Sequence, residues 1–96
     1  FPKLGYWRGY VWGPMALLTY WGLQQYDHVP IVRKGRRALV KQMRALMLEQ
    51  WRSRGLICEN FYPAKGAVPS GCSPGAMHMY HWGALTGFIG LLEAGY

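Results

Sequence analysis

The stretch Pro30–Gly55, PIVRKGRRALVKQMRALMLEQWRSRG, decides the fold. Proline opens it, where a helix has no use for the missing N–H, and glycine stands just past its end. Ile31, Ala38, Leu39, Gln42, Met43, Leu46, Met47 and Trp51 recur at helical spacing along one side, while Arg33, Lys34, Arg36, Arg37, Lys41, Arg44 and Arg52 take the other. The spacing predicts an amphipathic helix from about Pro30 to Arg54 with one wet face. Replacing Arg36, Arg37 and Lys41 by Gln is accordingly expected to leave activity within a few-fold.

A different pattern precedes it. From about Gly13 to Tyr26, with Pro14 in the first turn, Met15, Leu17, Leu18, Tyr20, Trp21 and Leu23 surround the axis with apolar groups, and Val11 lies just before them. A helix apolar on all sides is a buried one. Leu85, Phe88, Ile89, Leu91 and Leu92 predict a third helix over about Trp82–Ala94, also buried, with Gly83, Gly87 and Gly90 allowing close approach. The fold class is therefore all-α, with two buried helices and one amphipathic helix. Leu56–His81 is a long connection rich in Pro, Gly and Ser, and a loop of that length inside a compact fold is usually functional.

Alternation of direction brings distant segments together. If the first two helices form an antiparallel pair through Asp27-His28-Val29, and the third runs back again, then Tyr6–Trp12, Glu59-Asn60 and Tyr80-His81-Trp82 share one rim. Asp27 falls at the opposite rim, since about 14 helical residues span roughly 20 Å. Glu93 sits in the last turn of the third helix, and Glu49 lies among Arg44, Arg52 and Arg54 as a surface ion-pair partner. Of the four carboxylates, only Glu59 stands in the aromatic loop.

Composition narrows the class. Five Trp, seven Tyr and three Phe in 96 residues exclude a disordered chain. The net charge of +7 is concentrated, with eight of the eleven Lys and Arg between Arg33 and Arg54, so the excess belongs to one helix face. A basic helix of this kind could attract nucleic acid, but no aromatics interleave with the basic residues except Trp51, and no helix-turn-helix frame accompanies it. A solvated outer face is the expectation. No apolar run approaches the roughly 20 residues that span a bilayer. Cys58 and Cys72 are compatible with free thiols or with a single bridge. The spacing of Cys58, Cys72, His78 and His81 lacks the paired cysteines of a structural zinc site, and no cofactor is called for. The chain opens at Phe1 and enters its aromatic cluster within five residues, so it reads as a piece of a longer protein.

Trp and Tyr offer flat apolar faces with a polar edge, and Arg adds a fixed fork of donors. This mixture suits a neutral polyol ring, which stacks through its C–H face and hydrogen-bonds through its hydroxyls. In order, Tyr6-Trp7-Arg8-Gly9-Tyr10-Val11-Trp12-Gly13-Pro14-Met15, then Glu59-Asn60-Phe61, then His81-Trp82-Gly83-Ala84-Leu85, the chain resembles the C-terminal catalytic region of glycoside hydrolase family 63. That family includes processing α-glucosidases and mannosylglycerate hydrolase, and the resemblance runs from about Gly5 to Glu93. It implies that residues 1–96 are part of an (α/α)6 toroid, an inverting α-glycosidase acting on an oligosaccharide or small glycoside. Glu59 would be the general base, and Tyr6, Trp7 and Trp12 would line the sugar pocket. Arg8 either clamps a hydroxyl, a carboxylate or Glu59, or orients its own loop. Trp82 packs at the entry to the third helix and borders the pocket, and His81 is a structural hydrogen-bond partner. The general-acid Asp comes from an upstream segment of the family that nothing here matches, so this chain alone is expected to be inactive. A non-catalytic carbohydrate-binding module also fits the aromatics but leaves Glu59 unexplained.

Overall fold

The computed structural model describes residues 7–67 and 70–96. Its elements run β1 (Val11–Trp12), α1 (Gly13–Gln24), α2 (Pro30–Arg54), β2 (Asn60–Tyr62), β3 (Gly71–Cys72) and α3 (His81–Glu93). Most of the described residues are helical, and the three helices lie where the periodicity places them. Pro14 and Pro30 stand in the opening turns of α1 and α2. α2 closes on Gly55, left-handed at φ 65°, whose N–H donates to the Trp51 carbonyl at 2.9 Å.

The sheet is an addition to the all-α expectation. β1, β2 and β3 form a three-stranded antiparallel sheet in that order, with Val11 opposite Phe61, Trp12 opposite Asn60, Phe61 opposite Cys72 and Tyr62 opposite Gly71. Strands of two or three residues show no alternation that a sequence pattern could register. β1 lies 48 to 50 positions from its partners in β2, and only the packing of the helices brings those two side by side.

The core gathers Ala16, Leu17 and Tyr20 of α1, Met43 and Leu46 of α2, Cys58, Phe61 and Ile89. α1 is not buried all round. Met15, Leu18 and Trp21 form an exposed apolar face, and Phe88 and Leu91 do the same on α3. Each helix packs through one side only, and its second apolar side meets no described residue that covers it. None of the described helices is long and apolar enough to cross a membrane.

The buried face of α2 is turned from the predicted one. Leu39, Met43, Leu46 and Gln50 face inward, whereas Ala38 and Gln42 are exposed and Ile31 and Trp51 are 72% and 50% exposed. α2 has 25 residues against 12 and 13 in its partners, so its first and last turns overhang them. Arg36 belongs to the inner side, contrary to its expected place on the wet face. Its guanidinium pairs with Asp27 at 2.8 Å and also with Glu93, and its side chain is 11% exposed. The Tyr20 hydroxyl donates to Glu93 at 2.8 Å and accepts from Gln24 Nε2 at 2.9 Å. Burial, then the hydrogen bond to the Glu93 carboxylate, push the Tyr20 phenol up. For Arg36, burial acts downward, but the charges of Glu93 and Asp27 outweigh it and the guanidinium is held more firmly protonated. Glu49, expected in an ion pair, has none among the described residues; Arg36 holds Asp27 and Glu93 instead.

This cluster ties the far ends of α1 and α3 to the start of α2, so Arg36→Gln strands the partly buried Glu93. The expected cost is about 1.5–3 kcal/mol, the range for hydrogen bonds to charged groups. Exposed Arg37→Gln and Lys41→Gln should each stay within about 0.5 kcal/mol. Urea unfolding of the three variants separates them. Equal midpoints for Arg36→Gln and Arg37→Gln would show that the cluster contributes nothing.

Candidate active site

Three backbone segments meet at the rim opposite the Arg36 cluster. An ideal Cβ on Gly13 would lie 1.7 Å from the Trp82 carbonyl oxygen, and one on Gly83 would lie 1.9 Å from the Cys58 carbonyl oxygen. The openings of α1 and α3 and the approach to Glu59 are thus in direct backbone contact, at a separation only glycine permits. The three motifs do share one rim.

The aromatic rings follow that backbone. Trp7 stacks on Trp12 with centroids 4.0 Å apart at 24°. Trp82 lies 6.1 Å from Trp7 and 6.0 Å from Trp12, the latter edge-on at 61°. Tyr80 meets Trp82 edge-on at 5.1 Å and stacks with His81 at 4.9 Å. Offset and edge-to-face pairs of this kind add stabilisation beyond area burial. Exposure divides the cluster: Trp12 is 2% exposed, Trp7 is 53% exposed, and Trp82 is half-buried. Trp12 is the supporting layer, and Trp7 presents its outer face to solvent. His81 is exposed, and its ring packs with Tyr80 and Trp82. Arg8 is exposed, with no carboxylate partner among the described residues. Tyr6 lies outside the described residues.

Glu59 is buried, next to β2. Its backbone N–H donates to the Met77 carbonyl at 2.9 Å, and the Met77 N–H donates back to Glu59 Oε2 at 3.4 Å. Asn60, 2% exposed, accepts a hydrogen bond from the Ser73 hydroxyl through Oδ1, and its carbonyl accepts the Ser73 N–H at 3.2 Å. Two further backbone bonds, from the Ile57 N–H to His78 and from the Tyr80 N–H to Ile57, continue the stitching into α3. Cys58 and Cys72 are joined in a disulfide, with Cα atoms 5.6 Å apart. Of the readings open to these two cysteines, the structure has the bridge, and their sulfurs are bonded to each other rather than available as thiolate ligands.

Residues 71–79 are the part of the long connection between α2 and α3 that folds onto Glu59. Ser73 and the Met77 backbone are its contributions, and neither carries a signal readable without knowing that the loop folds back on Glu59. Asp27 and Glu93 are held together by Arg36 at the other end of α1 and α3, about 18 Å of helix away. Glu49 is on α2 and exposed. Among the described residues, Glu59 is therefore the one side-chain carboxylate placed with the aromatic motifs.

A buried carboxylate on the rim that carries the tryptophan cluster offers a proton acceptor, and the exposed Trp7 ring offers a flat apolar surface. Comparison with curated proteins and with solved structures finds no match. Over residues 1–83 the chain matches the family model described as the mannosylglycerate hydrolase MGH1-like glycoside hydrolase domain, and it belongs to that family of glycoside hydrolases.

Proposed function

We propose that this chain supplies the general base and part of the sugar pocket of an inverting α-glycosidase of family 63 type, α-glucosidase-like in its substrate. The observation that carries the reading is the burial of Glu59 at the rim where Trp7, Trp12 and Trp82 meet. Glu59 takes the proton of the attacking water. Trp7 receives the sugar ring, Tyr6 and Arg8 are assigned to the same binding role, and Trp12 and Trp82 hold the Trp7 ring in place. Hydrolysis needs a second carboxyl group to protonate the leaving oxygen, and inverting enzymes hold the two roughly 6.5–9.5 Å apart. The other carboxylates of the chain are Asp27, Glu49 and Glu93, and none is beside Glu59. The acid is an Asp from the remainder of the catalytic domain, and residues 1–96 alone are inactive. The exposed apolar faces of α1 and α3 support that reading, since both offer the surface that neighbouring hairpins of an (α/α)6 toroid would cover.

The stereochemistry tests the mechanism. Water activated on the face opposite the leaving group inverts the anomeric centre, so proton NMR of the first-formed sugar released by the full-length protein should show the β-anomer from an α-glycoside. Initial release of the α-anomer would mean a covalent intermediate, and Glu59 would not be acting as a base toward water.

A further inference from the structure

The carboxylate of Glu59 is contacted from residues 71–79, which lie against residues 57–62 through the β2–β3 pairing and through hydrogen bonds of Ser73, Met77, His78 and Tyr80. β2 and β3 are three and two residues long, and pairings so short are marginal by themselves. One covalent link reinforces them. Cys58, with no solvent exposure, immediately precedes Glu59, and its carbonyl is wedged against Gly83. Cys72, at the end of β3, immediately precedes Ser73, which bonds Asn60. The bridge therefore ties the residue before the carboxylate to the segment that supplies the Met77 contacts.

We propose that Cys58 and Cys72 are positioning residues for Glu59, and that opening their bridge with a dithiol switches turnover down without unfolding the domain. The inference rests on Glu59 being the base. Cys58 is enclosed and Cys72 is half-buried, so attack falls on the Cys72 sulfur. A thiolate of the dithiol bonds to that sulfur, the Cys58–Cys72 bond breaks, and Cys58 leaves as a thiolate that takes up a proton. The second thiol of the reagent then displaces Cys72. Two electrons and two protons pass from the dithiol to the two cysteines, and the reagent becomes a cyclic disulfide. Freed of the link, residues 73–77 are held to Glu59 and Asn60 by hydrogen bonds alone, and a displacement of the carboxylate of about 1 Å can lower turnover roughly 10²-fold. Trp7 and Trp12 precede α1 and Trp82 lies in the first turn of α3, so the sugar platform stays in place.

The test uses the full-length protein with and without dithiothreitol, assayed on an α-glycoside, with alkylation and mass spectrometry confirming that Cys58 and Cys72 are reduced. The expected result is a kcat lower by about 10–100-fold with KM within about threefold, unchanged far-UV circular dichroism, and recovery on reoxidation with oxidised glutathione. A Cys58→Ser, Cys72→Ser double variant should have the low kcat from the start and ignore dithiothreitol. Full activity in the reduced protein, or in the double variant, overturns the proposal. Loss of helicity together with activity also overturns it, because the bridge is then a general staple. Glu59→Gln measured alongside separates the two readings. An inactive Glu59→Gln with a fully active reduced protein removes only the positioning role, whereas an active Glu59→Gln removes the base itself.

Discussion

In the full-length protein, Glu59→Gln should lower kcat by about 10²–10⁴-fold, the usual contribution of a general base, while substrate still binds. Glutamine keeps the volume of the side chain and an oxygen to accept the Met77 N–H, so the loop it sits in is preserved. The capacity to take a proton is removed together with the negative charge. A fall in kcat with KM little changed is the signature of an interaction made in the transition state alone. Trp7→Ala should behave differently. Trp7 is stacked on Trp12 and exposes its other side, so its loss removes platform area and raises KM as well. Near-normal turnover of Glu59→Gln would make the carboxylate a loop fastener, and the base would have to be sought outside this chain.

Gly83→Ala should be strongly damaging for a single methyl addition. The new Cβ would stand 1.9 Å from the Cys58 carbonyl oxygen and 2.9 Å from its carbon. Neither atom belongs to a flexible side chain, so either α3 or the strand leading into Glu59 must shift. Overpacking of this kind costs about 1–3 kcal/mol and sometimes more. The displaced segment carries Glu59, so kcat should also fall, by on the order of 10²-fold for a shift near 1 Å. Gly90→Ala on the same helix is the control. Its Cβ would meet Arg44 side-chain carbons at 3.5 Å or more, an ordinary contact, and alanine is favoured over glycine in a helix by about 1 kcal/mol. Thermal melts and assays of both variants decide the matter. A Gly83→Ala protein as stable and active as Gly90→Ala would show that the close approach has no functional weight.

The second prediction concerns a contact that no local pattern contains, and it marks the division between what the residues announced and what the fold added. Pro14, Pro30 and Gly55 punctuate the chain, and the 3.6-residue repeat of Leu39, Met43 and Leu46 is a property of neighbours. The three helices and their ends were therefore legible, as was the alternation of direction that puts Trp12, Glu59 and Trp82 at one rim. The spaced aromatic and Glu-Asn-Phe motifs were enough to point to a glycoside hydrolase. The inward turn of Arg36 was not legible, because its partner Glu93 lies 57 positions further on. Nor were the strand pairings, the Ser73 bond to Asn60 or the closing of Cys58 on Cys72, which join residues 9 to 50 positions apart. Backbone preference and periodicity act over a turn or two of chain and so are written locally. Which loop covers Glu59 depends on how closely α1 and α3 can approach, and that distance was set at Gly13 and Gly83 only when the helices packed.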